Sequence, residues 1–325
     1  MCRNDIKVSI IVPVYNAEKY IRELVASLTS QTLREMEFVF VNDGSIDDSL
    51  LVLQECACRD KRIVVISTKN QGVSAARNIG LQIVRGQYVG FVDADDFVAE
   101  NMYEVLLQTA EKNKADIVSC GYYLFKDKNN MQPMLDLTSL DMNRSQATRS
   151  VLRNENIGMS VCNKLFTKQC IYGLKFTYAS NEDRLFLFKA VRNANKISII
   201  KETLYFYRIN TDSSSHSAFG ISKMDGLYVS EEMHRIIEIE HPDMIEESYA
   251  SMIISSYFIL LMMYRDNASS LYRAEHEKLK NNIINADFSL IKKYVKPMIY
   301  YQLLCIRYCE PFFRHVKRMA IKYKT

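Results

Sequence analysis

The first 120 residues alternate between two hydrophobic periods. Residues 7–14 are a nearly unbroken run of apolar, largely β-branched side chains, the pattern of a strand buried on both faces of a parallel sheet. Pro13 lies near the end of that run, where a ladder can spare a donor. Tyr20, Ile21, Leu24, Val25 and Leu28 then recur at helical spacing, with Asn16 placed to cap the helix they predict. The cycle repeats, predicting strands over 37–41, 62–66, 87–92 and 116–120 and helices over 47–58, 73–84 and 99–113. Ser45 with Asp48 three residues on reads as a capping box opening the second helix. Such alternation predicts an open, mostly parallel α/β sheet with helices on both faces, which binds ligands beyond the carboxyl ends of its strands.

Polar residues gather at those ends. Tyr15-Asn16 follows the first strand, Asn42-Asp43-Gly44-Ser45 the second, Lys69-Asn70-Gln71-Gly72 the third and Asp93-Ala94-Asp95-Asp96 the fourth. No glycine-rich loop of the kind that cradles phosphate by backbone alone is present. A phosphate bound at this acidic rim therefore calls for a metal, and Asp93 and Asp95, with Asp96, are hard oxygen ligands suited to Mn2+ or Mg2+. An acidic tripeptide alone is equally an ordinary turn and cap.

Residues 216–325 read mainly as helices, over 231–239, 245–264 and 291–322, with a break at Pro311, a boundary at Pro297 and polar linkers at His241-Pro242 and 265–270. Met252, Met262 and Met263 read as core filler. Two domains are expected, 5–215 and 216–325.

Composition narrows the class. At 325 residues, 48% hydrophobic and 25% charged, the chain is globular rather than disordered. The longest apolar run, 253–264, is interrupted by Ser255 and Ser256 and is too short to span a bilayer. The first residues lack the apolar core of a signal peptide, so a cytoplasmic location and reduced thiols are expected for the eight cysteines. Neither Cys56 with Cys58 nor Cys305 with Cys309 belongs to a four-ligand zinc pattern.

Charge is uneven. Residues 289–325 carry nine basic side chains against Glu310 alone, so this tail is +8 within a net charge of +4. Tyr294, Ile299, Tyr300, Tyr301, Leu303, Leu304, Ile306, Tyr308, Phe312, Phe313 and Met319 lie between the charges. This is the composition of a segment that binds an anionic membrane surface; a helix pair packed on the protein with a solvated basic face fits equally well. No nucleic-acid motif accompanies the charge, and nucleic acid is not expected as a partner. The helical region has three destinations, the acceptor side of the site, a homodimer or the bilayer.

The ordered segments 7–16 (KVSIIVPVYN), Gln31-Thr32, 41–47 (VNDGSID), 70–80 (NQGVSAARNIG) and 93–96 (DADD) resemble the family 2 glycosyltransferases with a GT-A fold, strongly over 6–125 and recognisably to about residue 215. The resemblance implies a Rossmann-like, GT-A nucleotide-diphospho-sugar transferase fold and an inverting transfer from a nucleotide-diphosphate sugar, usually a UDP-sugar, to an acceptor hydroxyl. It assigns Asp43 to the uracil, and Pro13, Tyr15, Asn16, Gly72, Arg77 and Asn78 to the nucleoside and phosphate region. Asp93-Ala94-Asp95 matches the metal-binding D-x-D. Arg77 by itself is as readily a solvated helix residue, though its fork of donors suits a phosphate.

Inversion needs a base on the face of the sugar opposite the leaving group, hence from another segment. Asn181-Glu182-Asp183-Arg184-Leu185-Phe186 is similar to the family's E-D-x-x-F, which makes Asp183 the base and Glu182 a residue that positions the acceptor. Without the resemblance, both acids fit a helix N-terminus. Asn163-Lys164-Leu165-Phe166 and Tyr205-Phe206-Tyr207-Arg208 with 213–215 also match. Cys162 departs from a frequent Trp, Asn181 from a frequent Gly, and His216 reads as a loop residue rather than a third metal ligand.

With no Trp, the chain cannot carry the Q-x-x-R-W motif of processive synthases, so one sugar per encounter is expected. The acceptor expected from bacterial relatives is a saccharide, such as a lipid-linked oligosaccharide of capsule, exopolysaccharide or lipopolysaccharide synthesis, met at the inner face of the plasma membrane. Two other readings stand beside this one: a sugar nucleotidyltransferase, although Val14-Tyr15-Asn16-Ala17 is not its Gly-rich loop, and a non-catalytic membrane-associated assembly subunit.

Overall fold

The computed structural model describes residues 6–127, 130–133, 138–210 and 218–322, with side chains as far as His315. The chain divides into two compact units, Met1–Ser213 and Ser214–Thr325.

The first unit begins with β1 (Val8–Val14), α1 (Glu18–Thr29), β2 (Met36–Asp43), α2 (Ser49–Arg59), β3 (Ile63–Thr68), α3 (Val73–Ile83) and β4 (Tyr88–Phe91). There follow β5 (Phe97–Val98), α4 (Met102–Asn113), β6 (Ile117–Asp127), β7 (Asn130–Pro133), β8 (Leu140–Asn143) and α5 (Arg144–Arg153). Then come β9 (Lys164–Thr167), α6 (Glu182–Asn193) and β10 (Lys196–Arg208). One sheet runs β3-β2-β1-β4-β9-β6-β10-β5, with β7 beside β6 and β8 beside β10.

The expected parallel sheet is present on the β1 side, where β1 pairs in parallel with β2 and β4, and β2 with β3. Beyond β4 the sheet is mixed. β9 enters antiparallel between β4 and β6, while β6 and β10 are parallel to each other. The apolar run of β1 is buried throughout, as a strand covered on both faces must be. Ile11 accepts from Val92 N, so Pro13, two residues on, turns its donorless nitrogen to the same side, just past the last residue of β1 that β4 pairs. A Cβ on Gly80 would meet Ile11 Cγ2 at 2.5 Å, so the glycine lets α3 lie directly on β1.

Two expected caps are not formed. Asn16 is not the cap of α1; Ala17 holds that position, and Asn16, at φ 49°, accepts from Ile46 N through Oδ1. The Ser45–Asp48 capping box is likewise absent from α2. Ser45 Oγ accepts from Asn16 N and Ser49 Oγ from Ala17 N. These side chains tie the turn after β1 to the turn after β2, a use that satisfies the same orphan donors from a neighbouring segment.

The second unit is helical: α7 (Asp225–Glu240), α8 (Ile245–Arg265), α9 (Arg273–Ile284), α10 (Phe288–Ile291) and α11 (Pro297–Lys322). Its core includes Leu227, Ile253, Leu260, Met263, Leu279, Ile283, Leu303 and Ile306, with Met252 and Met262 packed against it. The sequence pattern did not predict α9, which is mostly polar and buries His276, Leu279 and Ile283. The break expected at Pro311 is a kink at Cys309 (φ −152°, ψ 53°), with Pro311 inside the continuing helix. Among the described residues, no helix is long and apolar enough to cross a membrane.

Candidate active site

The site is built at the carboxyl ends of β1, β2 and β4, with a wall added by α3 and the N-terminus of α6. Asp43, at the end of β2, is buried and accepts from two backbone amides, Gln71 N on Oδ1 at 2.9 Å and Gly72 N on Oδ2 at 2.7 Å. It thereby fixes the loop that leads into α3. Gly72 has φ +90°, a conformation natural to glycine, and its carbonyl accepts the first helical bond from Ala76 N. Tyr15 stands half exposed on the rim and Pro13 is buried inside β1.

Arg77 leaves the first turns of α3 and is almost fully buried, 3% exposed. Its Nη1 donates to Glu182 Oε1 at 2.7 Å and to Asp183 Oδ1 at 2.8 Å, and its Nη2 to Asp93 Oδ1 at 2.8 Å. The guanidinium lies over the Phe176 ring, which stacks on Phe186 in an aromatic cluster with Phe91. Burial alone would lower the proton affinity of Arg77; Asp183 and Asp93 outweigh it and raise the pKa well above its ordinary value. Arg77 is therefore not solvated: both terminal nitrogens bond to acids, while Nε is buried without a hydrogen-bond partner.

Asn78, next in α3, faces elsewhere. Its Nδ2 donates to Phe176 O at 2.8 Å and its Oδ1 accepts from Phe176 N at 2.9 Å, so the amide acts as a strand-like partner that holds the segment beneath Arg77.

Asp93 to Asp96, just after β4, form a tight turn in which Asp96 N donates to Asp93 O. Asp95 Oδ2 accepts from Asn210 Nδ2 at 2.8 Å, and its carbonyl from Arg208 Nε at 2.7 Å. Asp96 is buried, accepting from Tyr205 OH at 2.5 Å and Arg208 N at 2.8 Å. Burial, then the charge of Asp93, raises the Asp95 carboxyl, and burial with both neighbours raises Asp96 well above its ordinary value. Asp93 Oδ2 and Asp95 Oδ1 stand outside the bonds just described. Two crowded carboxylates in a site that resists further negative charge are a donor set a hard divalent cation would relieve. Among the described residues, no group of three or more His, Cys, Asp or Glu side chains forms a ready metal cage. His216 lies outside the described residues, as do residues 213–215.

Glu182 and Asp183 open α6, after Asn181 in the left-handed region at φ 59°. That conformation explains an Asn where Gly is frequent, since these two residues tolerate it best. Asp183 Oδ2 accepts from Val161 N at 3.2 Å. Burial raises both carboxyls, Glu182 to about 7, with the charge of Asp183 adding to Glu182 and that of Asp93 to Asp183, while Arg77 pulls both down. Lys164, fully buried, donates to Ser160 O and Asn163 Oδ1 and so steadies the segment that carries Val161. Burial lowers its pKa to about 8.

Of the predicted residues, Arg77, Asp93, Glu182 and Asp183 meet directly, and Ala94 and Asp95 belong to the same turn. Asp43 and Gly72 meet at the neighbouring loop. Asn16 and Asn78 bond to backbone, and Pro13 is buried within β1. Tyr205, Arg208, Asn210, Lys164 and Val161 buttress the site. Tyr205, Arg208 and Lys164 were visible as parts of matching segments, but nothing in their spacing shows what they hold.

A family model described as "Glycosyl transferase family 2" matches residues 9–171. The uncharacterized glycosyltransferase EpsJ of Bacillus subtilis (strain 168) is 36% identical over 214 residues, covering 63% of this chain and 62% of that protein. The chain thus spans less than two thirds of that relative's length. The structure of S. aureus TarS residues 1–349 in complex with UDP-GlcNAc superposes with a TM-score of 0.71 at 22% identity, covering 98% of this chain and 92% of that one. The mannosyltransferase PcManGT from Pyrobaculum calidifontis, in complex with GDP-Man and Mn2+, superposes with a TM-score of 0.52 at 14% identity, covering 96% and 87%. Both likenesses concern the fold.

Proposed function

Because the chain belongs to glycosyl transferase family 2, we propose that it transfers a sugar from a UDP-sugar, or another nucleotide-diphosphate sugar, to an acceptor hydroxyl with inversion. One observation carries this reading: Arg77 gathers Asp93, from the donor side of the rim, and the pair Glu182-Asp183, from a separate helix, around one point. Inverting transfer needs a base on one side of the reacting carbon and stabilisation of the leaving group on the other, and the candidate residues come here from two segments.

In this reading Asp183 takes the acceptor's hydroxyl proton. The acceptor oxygen bonds to the anomeric carbon as the bond from that carbon to the phosphate oxygen breaks, and the nucleoside diphosphate leaves with the electron pair. Burial makes Asp183 a stronger base than an ordinary aspartate, and the Val161 amide and Arg77 aim its oxygens. Glu182 positions the acceptor. Tyr15, Gly72 and the Asp93-Ala94 turn line the donor, while Asn16, Asn78 and Pro13 hold the loops that do so. Asp43 retains lone-pair directions beyond its two amide bonds, and these would receive the uracil.

Mn2+ or Mg2+ held by Asp93 and Asp95 would supply positive charge against the diphosphate. The mannosyltransferase with Mn2+ and TarS with UDP-GlcNAc support this reading as proteins of like fold. The acceptor we propose is a lipid-linked saccharide of a bacterial surface polymer, extended by one sugar at the inner face of the plasma membrane.

A panel of nucleotide sugars with Mn2+ tests the reading through release of the nucleoside diphosphate. Wild type should release it slowly without acceptor and faster with one, and Asp93→Ala should not. Equal inertness of the two proteins across the panel removes the proposal.

A further inference from the structure

We propose that the outward face of α11 is a docking surface for an anionic phospholipid bilayer. The sequence presents the tail as an undivided mixture of rings and charges, and the structure sorts them. Leu303, Ile306 and Phe313 are turned into the core of the second unit, and Ile299, Tyr300 and Leu304 pack against that core. Met298, Tyr301, Tyr308 and Phe312 are turned out, 62–75% exposed, with Cys305 exposed between them.

Met298, Tyr301, Cys305 and Tyr308 follow one another at spacings of three, four and three, which at about 100° per residue confines them to an arc of roughly 80°. Phe312 continues the exposed series past the kink at Cys309. A helix whose inner face already fills a core normally presents polar side chains outward; a second apolar stripe on its other side is a surface for something else. Tyrosine, apolar along the ring and polar at the tip, suits the boundary between headgroups and acyl chains.

The charges select the occupant. Lys292 and Lys296 are exposed at the entrance to the helix beside Lys293, which pairs with Glu246 at 3.2 Å, and Arg307 lies 5.6 Å from the centroid of the Tyr308 ring. Glu310, the sole acid in the tail's sequence, accepts from Tyr264 OH, a bond directed into the core. Two copies of this stripe set against each other would bring like charges together, as a two-fold contact repeats every residue. An anionic leaflet neutralises them instead. This inference shares with the proposed function only the location of the acceptor, and it is read without donor or acceptor.

The test is flotation of the full chain, under reducing conditions, with vesicles of phosphatidylcholine alone or with about 30 mol % phosphatidylglycerol. The wild type should float with the anionic vesicles only, and less so as salt is raised. Tyr301→Ser, Tyr308→Ser and Phe312→Ser combined should weaken partitioning by about tenfold or more, since three exposed rings are lost. Its melting temperature and its donor hydrolysis in vesicle-free buffer should match wild type. A wild type that ignores anionic vesicles, or a triple variant that floats as well as wild type, overturns the proposal. So does a wild-type dimer that the triple variant dissolves, because the stripe then serves a second copy. Loss of hydrolysis in both proteins with floating intact counts against the proposed function and leaves the docking surface standing.

Discussion

Arg77 Nη1 lies 2.8 Å from Asp183 Oδ1, although 106 residues separate the two in the chain. Glu182 and Asp93 share the same guanidinium. One positive charge, nearly closed to water, thus binds three acids, opposes the rise that burial gives the Glu182 and Asp183 carboxyls, and ties the two halves of the site together. It sits on a helix whose approach to β1 depends on Gly80, so the packing of α3 and the electrostatics of the site are one arrangement.

Replacing that charge should be costly. Arg77→Met leaves three partly buried carboxylates without their cation, and breaking a buried ion pair from one side costs about 3–5 kcal/mol. Urea unfolding should show a loss of that order. Arg77→Lys should recover only part of it, because an ammonium lacks the planar fork. A methionine variant within about 1 kcal/mol of wild type would falsify the hub.

Asp183→Asn should lower kcat by about 10²–10⁴-fold while leaving UDP affinity nearly unchanged, the loss expected of a general base. A base works unprotonated, and burial raises the Asp183 carboxyl. The wild-type rate should therefore fall on acidification at a pH above the ordinary aspartate range. A rate flat down to about pH 4, or an asparagine variant that loses UDP binding in step with kcat, assigns the residue to the donor instead.

Glu182 is about 4.5 in its ordinary state and pushed up to about 7 in the fold, by burial first and the charge of Asp183 second. Between those values the folded chain holds a proton the unfolded chain has lost, so stability decreases as pH rises through the window. Glu182→Gln removes that ionisation. Its melting temperature relative to wild type should climb by a few degrees between about pH 5 and about pH 8. The same difference at both ends of the range contradicts the assignment.

The Tyr205 hydroxyl donates to Asp96 Oδ2, and the Tyr205 hydroxyl oxygen accepts from Asp93 N. Tyr205→Phe leaves a buried carboxyl short of a donor, a loss of about 1–3 kcal/mol. If the aspartates hold a cation, the variant should also need more Mn2+ for half-maximal donor hydrolysis. Unchanged stability together with an unchanged Mn2+ titration would show that the turn does not depend on this hydroxyl.

The strands β1 to β4 and helices α1 to α4 were legible because each buries a face recorded in its own period, as the runs around Ile10 and Phe38 show. The acids of the site were legible through the ordered segments that carry the family resemblance, since by themselves they fit a turn and a helix N-terminus equally well. Asn16 and Ser45 were misread as caps because a side chain that satisfies its own helix and one that satisfies a neighbouring turn look alike in a linear pattern. The antiparallel entry of β9 left no trace in any window, since four residues carry no record of which strand they will lie beside.

What the sequence determined by itself was the alternating α/β core, the ring of carboxylates at one rim and the basic, aromatic character of the tail, all set by composition and spacing within a few turns. Tertiary structure alone decided that Arg77 faces three acids rather than solvent, that Asn78 holds backbone, and which rings of α11 point outward. The bonds of Arg77 to Glu182 and Asp183 and of Asn78 to Phe176 join groups 98 to 106 residues apart in the chain, and side-chain periodicity reports only whether a position is buried, never against what.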